Sequence, residues 1–258
     1  MDLKSKIELF LPNRYHNLLY EAYFNLLPIR AIPYQGNKLT CPCCNARLNK
    51  FLSAKPGSKL LSNRICPKCD SWPRHRGLLL YLKNKTNFFV DRLRVLHIAP
   101  KYCLQKTFKT LSNLDYVSAD LSSPIAMVKI DITDIPYADN YFDVILCNHV
   151  LEHITDDRQA MRELFRVLKP NGWSILQVPM ERDRAQTFED FTVTSLKERE
   201  RLFGQYDHVR RYGRDYQDRL KQAGFTVRLD SYLKDLDREV SQKYKLNKKE
   251  DIYLCSKS

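Results

Sequence analysis

Four of the eight cysteines fall into two pairs, Cys41-Pro-Cys-Cys44 and Cys66-Pro-Lys-Cys69, with 21 residues between them. Each pair can offer two thiolates from one tight turn, and two such pairs complete a tetrahedral zinc site. The alternatives, buried structural cysteines or a redox pair, do not require the two spacings to agree. Cys43 interrupts the first pair and reads as a bystander. A four-thiolate site has no open position, so the zinc is structural and contributes roughly 10 kcal/mol or more of folding energy. The surrounding stretch, residues 31–70, is rich in Pro, Asn and Lys and poor in apolar runs, as expected where a metal rather than a core holds the chain.

The rest of the sequence has a different character. Of the formal charge of +13, residues 1–90 hold 15 Lys and Arg against 4 Asp and Glu, so most of the surplus lies in the first third. After the thiolates are counted, that surplus favours an anionic partner such as RNA, a nucleotide-linked group or an acidic glycan. With 43% apolar residues the chain can bury an ordinary core. It contains no run of eighteen apolar residues, and its start lacks a signal-peptide pattern, so a cytoplasmic protein without membrane insertion is expected. Oligomeric state is not legible.

Residues 14–26 place apolar side chains at helical spacing and are expected to stop before Pro28. Pro73 opens a second helical stretch that joins the two parts. From Leu93 onward, short apolar strands alternate with amphipathic stretches, the pattern of a parallel sheet covered on both faces. The strands fall at 94–99, 116–119, 127–130, 142–147 and 173–178. A helix of about four turns lies between the last two, stopped by Lys169, Pro170 and Gly172. Two more strands, 224–230 and 251–255, lack a crossover helix and predict an antiparallel pair at one edge. Residues 181–214, charged with scattered aromatics, read as an insertion that covers a site.

No glycine occurs between Leu78 and Asn171. A phosphate-cradling loop needs glycines there, which argues against ATP, NAD and FAD. S-adenosylmethionine carries no phosphate. It needs a turn after the first strand, filled here by Ile98, Ala99 and Pro100; a carboxylate for the ribose after the second, Asp120; and contacts to adenine after the third, Asp131 and Ile132. Asp120 alone reads equally well as a turn residue.

The segment VKIDITDIPYADNYFDVILCNHVLEHITDDRQAMRELFRVLKPNGWSILQVP, residues 128–179, resembles the core of the class I S-adenosylmethionine-dependent methyltransferases of the type 11 group. The paired CPxC motifs and FGQYDHVRRYG (203–213) resemble a bacterial subgroup in which a zinc ribbon precedes that domain. The resemblance implies an α/β fold, a Rossmann-like seven-stranded methyltransferase sheet with an N-terminal helical and zinc-ribbon module. Its parts would be residues 1–90 (helix, ribbon and connecting helix) and 91–258 (the cofactor domain). It also implies that Asp120 holds the ribose, that Asp131 and Ile132 flank adenine, and that Asn148 and His149 line the cofactor pocket. One departure stands out: the glycine-rich turn of the family, with its leading acid, is replaced by His97-Ile98-Ala99-Pro100.

Methyl transfer to a hydroxyl needs a base, and histidine titrates nearest neutrality. His149, His153 and His208 lie in suitable regions, each with packing or capping as the competing role. The resemblance to hydroxyl methyltransferases with a similar acidic-histidine segment implies a second divalent ion at His149, Glu152 and His153. Arg210, Arg211 and Tyr212 are candidates to hold an acidic substrate. The expected activity is methyl transfer to a hydroxyl of a glycan, sugar or other small molecule. The alternatives are an RNA methyltransferase using its basic ribbon to bind substrate and a non-catalytic zinc-binding module.

Overall fold

A computed structural model describes residues 13–54 and 60–258, with side chains from residue 18 onward. The amino-terminal dozen residues, where the absence of a signal sequence was inferred, lie outside that range. The first helix, α1 (Asn13–Arg30), runs through Pro28 rather than ending before it. Pro28 removes one N–H from the helical ladder, but Ala31 N still donates to Leu27 O at 3.1 Å. Tertiary anchoring outweighs the loss: Arg30 reaches Pro67 O at 3.0 Å and pairs with Asp70, and Phe24 stacks on Tyr102 with ring centroids 3.8 Å apart.

Two small antiparallel hairpins follow, β1 (Gln35–Thr40) with β2 (Arg47–Leu48), and β3 (Leu52–Ala54) with β4 (Leu61–Ile65). Helix α2 (Pro73–Lys85) starts at the expected proline, which suits the first helical position because its missing N–H would be unpaired there anyway.

The central sheet has seven strands. In chain order these are β5 (Leu93–Ile98), β6 (Leu114–Asp120), β7 (Val128–Lys129), β8 (Phe142–Asn148), β9 (Leu168–Gln177), β12 (Thr226–Asp230) and β13 (Ile252–Ser256). Their spatial order is β12-β13-β9-β8-β5-β6-β7. The first five are mutually parallel, and the last two form the antiparallel edge pair that the sequence predicts. This is the Rossmann-like α/β methyltransferase arrangement, with the order reversing between β5 and β8.

Alternation along the strands explains why both faces are covered. Val95, Val144 and Leu146 enter one apolar cluster, whereas Leu96, Ile98, Ile145 and Cys147 enter the other. The first cluster is continuous from Cys41, Leu48 and Phe51 of the cysteine module through Leu78 and Leu82 of α2 to Ile175 and Ile252 of the sheet. The module therefore shares its core with the sheet. The second face is closed by α4 (Asp157–Val167) and α6 (Tyr216–Gln222).

Helix α4 is capped by Asp156, whose carboxylate accepts Gln159 N at 2.9 Å. It is shorter than the four turns expected, because Leu168 is already extended ahead of the residue that Pro170 bars from the helical region. The remaining elements are α3 (Tyr102–Phe108), β10 (Phe188–Glu189), α5 (Leu196–Phe203), β11 (Arg210–Arg211), α7 (Tyr232–Asp235) and α8 (Arg238–Tyr244). No local pattern signals α7. Its Leu233 packs over Gly77, where a Cβ would meet the leucine at 2.9 Å.

Candidate active site and metal centre

The turns that carry the cysteines close on Asn45 and Asp70, both in the left-handed backbone region that short polar residues tolerate. Cys41 N donates to Ala46 O and Cys66 N to Ser71 O, fixing each knuckle. The sulfurs of Cys41 and Cys69 lie 3.6 Å apart and those of Cys44 and Cys66 3.7 Å apart, and all four are within 4.8 Å of one another. A tetrahedral ion with bonds of about 2.3 Å sets its sulfurs about 3.8 Å apart, so the donor set fits zinc. Cys43 is outside this group and packs against the core.

Arg76 is fully buried beside the cluster with no carboxylate partner among the described residues. Its guanidinium donates to carbonyls of Ser71, Arg64, Tyr244 and Lys245. Four thiolates around a divalent ion would carry a net charge of about −2, which this cation would offset.

At the switch point between β5 and β8, Ala99 takes a left-handed backbone conformation, with φ 48°. Its N–H donates to Ala119 O at 2.8 Å. His97, at the position of the usual acid, is buried against Tyr116 Oη at 2.8 Å, and burial pulls its pKa to about 3. Ile98 and Pro100 are buried around the turn. Asn148 ends β8 with both amide atoms buried and unpartnered among the described residues. An orphaned amide at a switch point fits a polar ligand in the crevice.

Asp120 ends β6, and its Oδ1 accepts the N–H groups of Ser122 and Ser123, both at 2.8 Å. The turn role and a ligand role coexist here, since one carboxylate oxygen is committed and the carboxylate has further acceptor capacity. Asp131 is exposed and likewise closes a turn, accepting from Thr133, which holds its pKa low. Ile132 beside it is buried.

A cleft of about 1440 Å³ opens beyond the ends of β8 and β9. His149 and His208 line it, but Ile98, Asp120 and Asp131 do not. The cleft is thus distinct from the crevice beside β5 and β6. Its walls come from Trp72–Arg74, from Val178–Arg184, from the insertion at Phe203–Arg211, and from Asn247–Tyr253.

His149 has φ 58°, and its Nδ1 lies 3.3 Å from Glu152 Oε1. Burial lowers its pKa even though Glu152 pulls the other way. His153 contacts Asp207 through Nδ1; burial opposes its charge, but Asp207 and Glu152 prevail and its pKa is raised. His208 is half-buried with its ring 4.7 Å from that of His153, and burial lowers its pKa. The donor group suited to a metal is Glu152, His153 and His208, so the expected set with His149 is corrected: His149 faces the cleft and meets Glu152 through one oxygen.

The three candidates for holding an acidic substrate are already engaged. Arg210 is buried against Glu189 and the carbonyls of Leu151, Ile154 and Thr155. Arg211 pairs with Glu181, and Tyr212 donates to Asp157 at 2.6 Å. They knit the insertion to the sheet, together with Arg219 on Glu189 and Asp157.

Two cleft residues were missed. Arg74, in the first turn of α2, lies over Trp72 at 5.2 Å and has no hydrogen bond or ion pair with a described residue. Glu250 is raised to about 7 by burial, with Arg74 opposing the shift. Arg74 follows a helix-opening proline and Glu250 sits in a basic run, so neither carried a local signal.

Residues 95–176 match the family described as a methyltransferase domain. The ubiquinone/menaquinone biosynthesis C-methyltransferase UbiE of Vibrio campbellii is 44% identical over 45 residues, 17% of this chain and 17% of that protein. UbiE of Serratia proteamaculans is 37% identical over 62 residues, 24% of this chain and 20% of that protein. The matches thus span a fifth or less of these relatives. The YcgJ protein of Bacillus subtilis is 18% identical with a TM-score of 0.47, covering 71% of this chain and 99% of that one. The sheet order and the family match define the class: the chain carries an S-adenosylmethionine-dependent methyltransferase domain. No helix among the described residues is long and apolar enough to cross a membrane.

Proposed function

We propose that this chain transfers the methyl group of S-adenosylmethionine to a hydroxyl of a small-molecule, sugar or glycan acceptor bound in the cleft, and that it belongs with the type 11 enzymes carrying a zinc ribbon. The observation that carries the reading is the join between crevice and cleft. Asn148, with its unpartnered amide, and His149, on the cleft wall, are consecutive residues at the end of β8.

In this reading Ile98, Ala99 and Pro100 form the floor under the cofactor, Asp120 takes the ribose hydroxyls, Asp131 and Ile132 flank adenine, and Asn148 contacts the bound nucleoside. The cofactor supplies an electrophilic methyl group on a sulfonium. Holding the acceptor oxygen in line with it accounts for much of the acceleration. His149 is the base: burial keeps its imidazole neutral, and with Nδ1 turned to Glu152 its Nε2 is available to take the hydroxyl proton. Arg74 on Trp72 favours an acceptor bearing a carboxylate or phosphate, because an unpaired guanidinium stacked on an aromatic is prepared for a bidentate anion.

Cys41, Cys44, Cys66 and Cys69 hold a structural zinc, and residues 1–90 and 91–258 are the two parts of the chain. The test is methyl transfer by purified protein to a panel of anionic hydroxyl compounds, read as S-adenosylhomocysteine released. The reading expects turnover that falls at least about tenfold in His149→Ala with cofactor affinity retained. Turnover with carbon acceptors alone, the chemistry named for the UbiE relatives, would replace the hydroxyl assignment.

A further inference from the structure

Next to His149 lies a set of donors of which the proposed reaction uses only one oxygen of Glu152, the partner of His149 Nδ1. Glu152, His153 and His208 each place one donor atom within 4.8 Å of the others. They come from two segments, the 3-10 turn Leu151–His153 after β8 and the end of the insertion. The turn is tied to the insertion by Val209 N donating to Glu152 O at 3.0 Å.

The hydrogen bonds around these residues leave one donor atom of each available. His153 Nδ1 lies 3.2 Å from Asp207 O and 3.3 Å from Asp207 Oδ2. His208 Nδ1 lies 3.3 Å from Phe203 O. Both partners are oxygens that accept, so each ring donates through Nδ1, and Nε2 is the nitrogen that can bind an ion when the ring is neutral. A carboxylate behind a histidine is the usual outer support of a metal-bound imidazole.

Glu152 is 1% exposed. Its Oε1 meets His149, but its Oε2 is buried with no hydrogen-bond partner among the described residues. A buried carboxylate oxygen without a partner is costly. One Glu152 oxygen is thus left without a partner, near two imidazoles whose Nδ1 atoms are already engaged.

We infer that Glu152, His153 and His208 bind a divalent first-row transition ion, separate from the four-cysteine centre and open to the cleft. Two imidazoles and one carboxylate select such an ion over magnesium or calcium, which prefer oxygen shells. Bond lengths of about 2.1 Å require these donors to draw together by side-chain rotation, which the half-exposed His153 and His208 permit. Three protein ligands leave coordination positions vacant, and His208 lines the cleft. A hydroxyl entering such a position is acidified by the ion. That catalytic role rests on the methyltransferase reading; metal binding itself does not.

The experiment is titration of the metal-stripped, refolded full chain with cobalt(II). Thiolate coordination gives an intense near-ultraviolet charge-transfer band, and a nitrogen and oxygen site gives only weak visible bands. The inference expects two ions per chain, one of each spectral type. In His208→Gln the visible component and one equivalent of metal should be lost while the thiolate band persists, which certifies the fold of the cysteine module. Asp207→Asn should weaken the second ion by about 10- to 100-fold without touching the first. A single thiolate-bound ion in the native chain, or two ions retained in His208→Gln, overturns the proposal. S-adenosylmethionine binding, measured by calorimetry on the same samples before cobalt is added, reports separately on the methyltransferase reading.

Discussion

Ala99 and His149 each stand one residue past the end of neighbouring parallel strands, β5 and β8, and both take left-handed backbone conformations, φ 48° and 58°. Neither is glycine, so each position costs about 1–2 kcal/mol that the surrounding packing offsets. The pair marks the place where the sheet order reverses and where ligands of open α/β sheets bind. Ala99→Val, which adds a branched Cβ to a left-handed residue, is expected to lower unfolding free energy by about 2 kcal/mol. Ala99→Gly should stay within about 1 kcal/mol of the native chain. Denaturant titration of the three proteins checks both outcomes.

Removing zinc from the cysteine centre should do more than loosen a peripheral module. Cys41 and Cys66 belong to the same apolar cluster as Val95, Val144 and Ile252. A chelator strong enough to strip the ion is expected to lower the melting temperature of the whole chain in one transition. Separate melting of an unaffected sheet would show the two parts to be uncoupled.

The charge beside that centre is also testable. Arg76→Met keeps much of the volume but takes a donor from four carbonyls, of which Ser71 O keeps Cys66 N, and removes the cation beside the thiolates. A loss of about 3 kcal/mol in unfolding free energy is expected, from unsatisfied buried acceptors and an uncompensated anionic cluster. Arg76→Lys should recover only part of it, since an ammonium cannot reach all four carbonyls at once.

Glu250 sets a pH dependence. Burial raises its pKa from 4.5 to about 7, so between those values the folded chain holds a proton that the unfolded chain has released. The stabilising contribution of the protonated carboxyl is complete below about 4.5 and is lost as pH rises to about 7. At about 1.4 kcal/mol per pKa unit, and with partial exposure at the cleft reducing the effect, the loss is about 2 kcal/mol. Glu250→Gln should remove that slope and be the more stable protein above about pH 7. Unfolding titrations across that window decide it.

Much of this architecture was legible because it is written in short-range patterns. Strands buried on both faces leave apolar runs such as RVLHI and FDVILC, and two equal cysteine spacings single out the four thiols, among eight, that the fold brings together. The misread parts depend on distant partners. Helix α1 passes Pro28 because Arg30 meets Pro67 and Asp70, which no local window contains. The basic pair Arg210 and Arg211 looked like a substrate grip but is consumed by Glu189 and Glu181. His208, rather than His149, joins Glu152 and His153 because the insertion folds back over the turn after β8, and a segment-by-segment reading favours residues three apart.

The most direct measurement is calorimetric titration of the zinc-loaded chain with S-adenosylmethionine, alongside Asp120→Asn. The substitution keeps an oxygen to accept from Ser122 and Ser123 but removes the charge that would hold the ribose. The account predicts saturable binding of one equivalent by the native chain and affinity reduced by at least about tenfold in the variant, a loss of about 1.4 kcal/mol or more. No detectable binding by the native chain, or equal affinity in both proteins, would contradict it.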